Sequence, residues 1–159
     1  MLIISDNSAL SVLAETALLH LLPAIFRKVV ITESVHRECQ DAGAPPELRD
    51  WIAHPPGWLS IVPDPATLLP EVSSLDDGEA TSITLAWEHR PDSHLILDER
   101  RGRRIAKTLG LSLTGVLAII ADAANLGLVD FDAALKSLVA ADFHVSEDVI
   151  AEVRQRLAK

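Results

Sequence analysis

Four short aliphatic runs, alternating with stretches of helical character, constrain this chain more than any other feature of its sequence. Leu2-Ile3-Ile4 opens the chain, and behind it Leu10, Leu13, Ala14, Ala17, Leu18 and Leu21 recur at the spacing of one helix face. Val29-Val30-Ile31-Thr32 reads as a second buried strand, ahead of a short helix over 34–42. Prolines and a glycine bracket a helix over 48–53, which leads into an extended Leu59-Ser60-Ile61-Val62. The pattern is helical again over 78–89, His94-Leu95-Ile96-Leu97 is the next strand, and a brief strand is expected at 111–113. Further helices are expected over 102–109, 115–125, 132–141 and 147–157. Strands alternating with helices predict an α/β domain built on a mainly parallel sheet. Ligands of such sheets sit beyond the carboxyl ends of the strands.

Composition narrows the function classes. With 159 residues, 48% hydrophobic and 23% charged, the chain can bury a substantial core, and it shows no repeat or low-complexity linker, so one domain over 1–159 is expected. Its net charge of -9 argues against a non-specific polybasic grip on nucleic acid, so any such contact must be local. A lone cysteine, Cys39, forms no internal disulfide and fits no zinc spacing; it reads as buried filler in a reducing compartment. The most apolar stretch, 9–26, is broken by Glu15, His20 and Pro23, and the N-terminus lacks the basic start of a signal peptide. No membrane association and a cytoplasmic location are the expectations.

The acids carry the chemistry. Asp6 directly follows the first strand and Asp98 directly follows His94-Leu95-Ile96-Leu97, so both carboxylates are expected at the ligand edge of the sheet, with Glu99 adjacent. Glu38 lies on the apolar side of its helix, and Glu79 sits in the first turn of the next, four residues before Ile83. Glu33, four residues before Arg37, is expected instead to form a solvated ion pair. Gathered carboxylates repel one another and resist desolvation, so a cation is needed to hold them, and oxygen-only ligands select Mg²⁺ or Mn²⁺. Each acid also has a plainer use: Asp6, Ser8 and Asp98 as helix caps, Asp76, Asp77 and Glu79 as complements of a helix dipole.

Arg100, Arg101, Arg103, Arg104 and Lys107 place five of the fourteen cations within eight residues, beginning beside Asp98. Cations at a helix start oppose its dipole, so the run is either a solvated face or a device that positions phosphates. Trp51, Trp58 and Trp87 are expected in the core rather than stacked on bases. No nucleophile elbow or Ser-His-Asp order is present, which argues against covalent catalysis.

The segments Ile-Ile-Ser-Asp-Asn-Ser-Ala-Leu, Ile-Thr-Glu-Ser-Val-His-Arg-Glu, Gly-Glu-Ala and Leu-Asp-Glu-Arg-Arg-Gly-Arg-Arg-Ile-Ala, in that order, resemble the PIN-domain superfamily over residues 2–127. The tail over 130–159 is similar to the closing helices of a bacterial and archaeal branch related to VapC toxins, and reads as a C-terminal helical extension. The resemblance implies a three-layer α/β/α sandwich with a central parallel sheet and an acidic pocket that binds Mg²⁺ or Mn²⁺ and cleaves single-stranded RNA by metal-assisted hydrolysis. It implies metal and catalytic roles for Asp6, Glu38, Glu79 and either Asp98 or Glu99, where relatives often carry Asp-Asp. Ser8 matches a hydroxyl-bearing position beside the first acid that orients either Asp6 or a metal-bound water, and Arg101 and Arg104 are the expected substrate-positioning cations. A small antitoxin and a second copy of the chain are the implied protein partners. Two other classes compete: a binding or regulatory module that keeps the pocket but cleaves nothing, and a receiver-like phosphoacceptor domain, against which the motif order argues.

Overall fold

The computed structural model describes residues 1–157; the last two residues of the expected C-terminal extension, Ala158 and Lys159, lie outside the described residues. Five strands form one sheet in the order β3-β2-β1-β4-β5. They are β1 (Leu2–Ser5), β2 (Val29–Thr32), β3 (Leu59–Val62), β4 (Ser93–Ile96) and β5 (Leu113–Thr114), and every neighbouring pair is parallel. The α/β fold with a parallel central sheet is therefore as the sequence predicts.

Helices cover both faces, and the strands alternate between two cores as the pleat requires. On one face, Val29, Ile31 and Ile96 meet side chains of α1 (Asn7–Glu15), α2 (Leu21–Phe26), α3 (Glu33–Gln40), α4 (Pro46–Ala53) and α7 (Val116–Asn125). The same cluster takes in Phe131 and Leu138 of α8 (Phe131–Ala140) and Val153 of α9 (Glu147–Arg154). On the other face, Ile4, Leu95 and Leu97 pack against α5 (Asp77–Glu88), α6 (Arg100–Thr108) and Val72 of a short 3₁₀ turn, Pro70–Val72. Among the described residues no helix is long and apolar enough to cross a membrane.

Three local expectations need correction. The single helix expected through Leu21 is two: α1 ends at Glu15, where Ala17 takes a φ of 59° and the N–H of Leu18 closes back onto the Leu13 carbonyl at 2.8 Å. That left-handed closure ends a helix whatever the apolar spacing beyond it. The brief strand sits two residues later than expected, at Leu113–Thr114, because its pairing with β4 joins Leu95 to Leu113 and Ile96 to Thr114. The helix expected from Gly102 starts at Arg100, since Glu99 caps it by accepting the Gly102 N–H.

The tryptophans pack as expected. Trp51 and Trp58 meet at 5.6 Å between centroids against the first core, and Trp58 precedes β3, at the amino end of the strands. Trp87 packs on the second core, with the Arg90 guanidinium 3.7 Å above its ring. Ile96, on the interior strand β4, is fully buried, so Ile96→Ala should cost about 2–5 kcal/mol, read as a lower urea midpoint with an unchanged slope.

Candidate active site

The strand order decides where the acids go. From β1 the chain winds outward through β2 and β3, then returns to the other side of β1 as β4, so the winding reverses between β1 and β4. That reversal opens a crevice beyond the carboxyl ends of these two strands, the customary ligand position of an open parallel sheet. Ser5 is in register with Ile96, and the Asp6 N–H donates to the Ile96 carbonyl at 3.1 Å. Asp6 and Asp98 thus leave adjacent strands at the same edge.

Asp6 is buried, its Oδ2 accepting from the Ser8 hydroxyl at 2.6 Å and its Oδ1 from the Ala9 N–H at 3.2 Å. Burial raises its pKa, and the charge of Asp98 adds to the effect; the Ser8 and Ala9 bonds oppose it, leaving the carboxyl at about 7. Asp98 Oδ2 accepts from the Val116 N–H at 2.8 Å. Its pKa is raised by burial, against that N–H and the charge of Arg103, whose Nη1 is anchored on the Leu97 carbonyl at 2.7 Å.

Glu38 and Glu79 are carried by the neighbouring helices α3 and α5. A buried contact between the Thr32 and Thr81 hydroxyls, 2.9 Å apart, ties the end of β2 to the first turns of α5. Glu38 reaches across from α3, and its Oε2 accepts the Gly78 N–H at 2.9 Å. Burial raises its pKa, assisted by Asp76 and Asp77 and opposed by the Gly78 bond and Arg37. Glu79 is buried, with Oε2 lacking any hydrogen-bond partner. Burial first, then a hydrogen bond shared with Glu99 and the charge of Asp76, push it up to about 9. For Glu99 burial works against the charge, but the N–H of Gly102 at 2.7 Å, the contact with protonated Glu79 and the Arg101 backbone and charge hold it below the usual range.

Three glycines make these approaches feasible. A Cβ on Gly102 would stand 2.5 Å from Glu79 Oε2, one on Gly115 2.7 Å from Asp98 Oδ1, and one on Gly78 would overlap Glu38 Oε1. Each carboxyl lies against a helix start stripped of its side chain, and Glu38 and Asp98 accept a helix-start N–H there.

The expected site residues are therefore not spread evenly. Asp6, Ser8, Asp98 and Arg103 form one group at the strand ends; Glu79 and Glu99 form a second; Glu38 stands with Asp76 and Asp77, and Asp76 acts on both Glu38 and Glu79. Among the described residues no three His, Cys, Asp or Glu side chains close into a ready-made metal cage. Each of Asp6, Glu38, Asp98 and Glu99 accepts a backbone N–H of a helix start. The donors are nevertheless all oxygen, two of them raised to about 7 and about 9, and one buried oxygen is orphaned, which fits Mg²⁺ or Mn²⁺ and not a thiolate-loving ion.

Two further expectations change. Arg37 does not pair with Glu33; its Nη2 lies 3.3 Å from Asp64, which also binds Ser34, while Glu33 accepts the Asp64 N–H. Asp64 wins because its short side chain meets both the buried Ser34 and the Arg37 guanidinium. The basic run also divides. Arg101 stands beside Glu99, whereas Arg100, Arg103, Arg104 and Lys107 face a groove next to Asp98. Arg103, expected only as one member of the basic run, is the cation anchored beside the strand-end acids, on the Leu97 carbonyl and next to Asp98. Cys39 is buried, donates weakly to Asn7 at 3.6 Å, and its thiol is pushed up to about 12, so it is no nucleophile.

A family model described as a PIN domain matches residues 2–159. No curated protein matches the chain. Among solved structures, a PilT N-terminus domain protein from the hyperthermophilic archaeon Sulfolobus solfataricus P2 superposes with a TM-score of 0.57 at 20% identity, over 77% of this chain and 92% of that one. At this identity the likeness shows the fold.

A pH dependence follows from the raised acids. Without divalent cations the folded state holds protons on Asp6 up to about 7 and on Glu79 up to about 9, while the unfolded chain releases them at ordinary carboxylate values. The unfolded state then binds fewer protons, so stability falls as pH rises through this window. In EDTA the urea midpoint should drop between about pH 5 and about pH 8. Glu79→Gln, which keeps a donor toward Glu99 without needing the proton, should flatten that drop; an unchanged slope would refute the protonated Glu79.

Proposed function

Because the chain belongs to the PIN-domain family, whose members are typically nucleases using divalent metals, we propose that it is a Mg²⁺- or Mn²⁺-dependent endoribonuclease that hydrolyses single-stranded RNA. The observation that carries this reading is the convergence of Asp6 and Asp98 on the crevice between β1 and β4, where burial and the charge of Asp98 raise the Asp6 carboxyl. Asp6, Glu38, Glu79, Asp98 and Glu99 are the residues that would hold the metal. A divalent cation bound there supplies Lewis-acid polarisation of a phosphate and a lower pKa for water.

The chain's own residues do the rest. Ser8 orients the Asp6 carboxylate through its 2.6 Å bond, and the helix start beneath Asp98 fixes that side chain in the crevice. The helix starts of α5 and α6 hold Glu38 and Glu99 as anions, and Asp6 and Glu79 surrender their protons when the site is loaded. Arg104 faces the neighbouring groove and holds a phosphate of the strand; Arg101, beside Glu99, is assigned the same work on the other side. Water attacks phosphorus in line, a new P–O bond forms, and the P–O3′ bond breaks, with the proton leaving on the 3′ oxygen. The toxin role with a small covering antitoxin, and self-association, belong to this same proposal and rest on the similarity to VapC relatives. Sedimentation at about tens of micromolar tests the dimer.

Cleavage should give 5′-phosphate and 3′-hydroxyl ends and stop in EDTA, and Asp6→Asn should lose kcat by at least about a hundredfold while remaining folded. Arg101→Ala with Arg104→Ala should raise KM instead. Mn²⁺ should raise the Tm of the wild type at about pH 8 and leave that of Asp6→Asn unmoved. Cyclic 2′,3′-phosphate ends, or full activity in EDTA, would refute the mechanism. A chain that binds RNA without turnover would be the non-catalytic module.

A further inference from the structure

Beside Asp98 lies a groove of about 790 Å³, walled on one side by α6, β5 and the start of α7 and on the other by residues 143–156 of the C-terminal segment. We propose that this groove is a subsite for single-stranded nucleic acid: Arg100, Arg104 and Lys107 take successive phosphates of the strand on one side of the cleaved bond, and His144 takes a base. The choice of ligand rests on the nuclease reading above; the geometry does not.

The charge distribution is the first argument. Arg100, Arg104 and Lys107 follow the i, i+4, i+7 pattern that lines up one helix stripe, about 6 Å and then about 4.5 Å apart along the axis. None of the three has an ion-pair partner among the described residues, in a chain with nine more acids than bases. The two carboxylates lining the groove are Asp98, already held by Val116 and flanked by Arg103, and Glu152. The unpaired charge therefore calls for an anion with repeated charges.

The far wall is the second argument. It is fixed in place: Arg156 makes two bonds to Asp122 of α7 at 2.9 and 3.0 Å, its carbonyl accepts from Asn125, and Val153 is buried in the first core. On this wall the exposed ring of His144 stands next to the half-buried Phe143. A basic track facing aromatic surface is the combination that binds single strands without reading sequence. An acidic peptide would use the cations but leave the ring and the apolar floor of Leu117 and Val149 unfilled.

The test is binding in EDTA, where nothing is cut, of a fluorescein-labelled single-stranded ten-mer of about ten charges. A variant carrying Arg100→Gln, Arg104→Gln and Lys107→Gln should bind about tenfold or more weakly, and its log Kd against log salt should lose a slope of about 2, three phosphates at roughly 0.7 each. Lys136→Gln, on α8 outside the groove, should change neither. His144→Ala should weaken binding by about fivefold or more with the slope intact, the mark of a stacking contact. Circular dichroism checks that each variant is folded. The proposal is overturned if the wild type does not bind, if the triple variant binds like the wild type, or if Lys136→Gln loses as much. It is overturned too if a decaglutamate peptide binds as tightly as the oligonucleotide with the same dependence on the three cations. Binding that behaves as expected while metal-loaded protein cuts no RNA would sink the nuclease reading and leave the groove standing.

Discussion

The parallel pairing of β1 with β4 is the constraint on which the rest of the site depends. These two strands are more than ninety positions apart in the sequence, yet Leu2 through Ser5 pair residue for residue with Ser93 through Ile96. Because the pairing is parallel, both strands end at the same edge, and because the winding reverses there, no helix start from a continuing βαβ unit fills the space between them. Asp6 and Asp98 inherit that space. A slip of one residue would turn Ile4 and Leu95 out of the second core and move both acids with them, so hydrophobic burial fixes the carboxylates' positions.

Burial also makes those carboxylates costly, and helix N-termini offset the cost. Asp6 sits on α1, Glu38 on α5, Glu99 on α6 and Asp98 on α7, each receiving at least one free N–H. Four helices thus aim their positive ends at one region of the molecule. The compensation is partial: Glu99 stays below its usual range, whereas Asp6, Glu38, Asp98 and Glu79 all rise. Glu79, with no N–H of its own and Glu99 beside it, retains a proton. Under the proposed function, a divalent cation would load these acids by replacing protons.

The ends of the strands were legible in the sequence, and so were the acids that follow them, because a β-branched run ending in Ser-Asp or Leu-Asp announces both the strand and its edge. What lay outside its reach was adjacency. Nothing in the local pattern says that β4 rather than β3 lies beside β1, and the grouping of Glu38 with Asp76 and Asp77 rather than with Asp6 follows from long-range packing of α3 on α5 through Thr32 and Thr81. The break after α1 failed for a different reason: Ala17 in a left-handed conformation carries no residue signal, since glycine is the usual occupant. The Glu33–Arg37 pair failed because a loop residue, Asp64, competes for the same guanidinium and brings its own contacts with Ser34.

Capping and catalysis are usually weighed against each other as explanations of an acid at a helix start. Here the geometry joins them. A carboxylate that caps a helix has one oxygen committed and a fixed rotamer, which leaves the other oxygen aimed in a direction the backbone sets. Gly78, Gly102 and Gly115 show how closely this is built: a methyl group at any of them would strike Glu38, Glu79 or Asp98. A cap alone tolerates alanine at the second or third helical position, and an isolated metal ligand needs no bare helix beneath it. At the starts of α5 and α7 one carboxylate, Glu38 or Asp98, takes both the N–H and the room left by the missing Cβ, whereas at the start of α6 Glu99 takes the Gly102 N–H and Glu79 takes the room, so one bare helix start serves two acids.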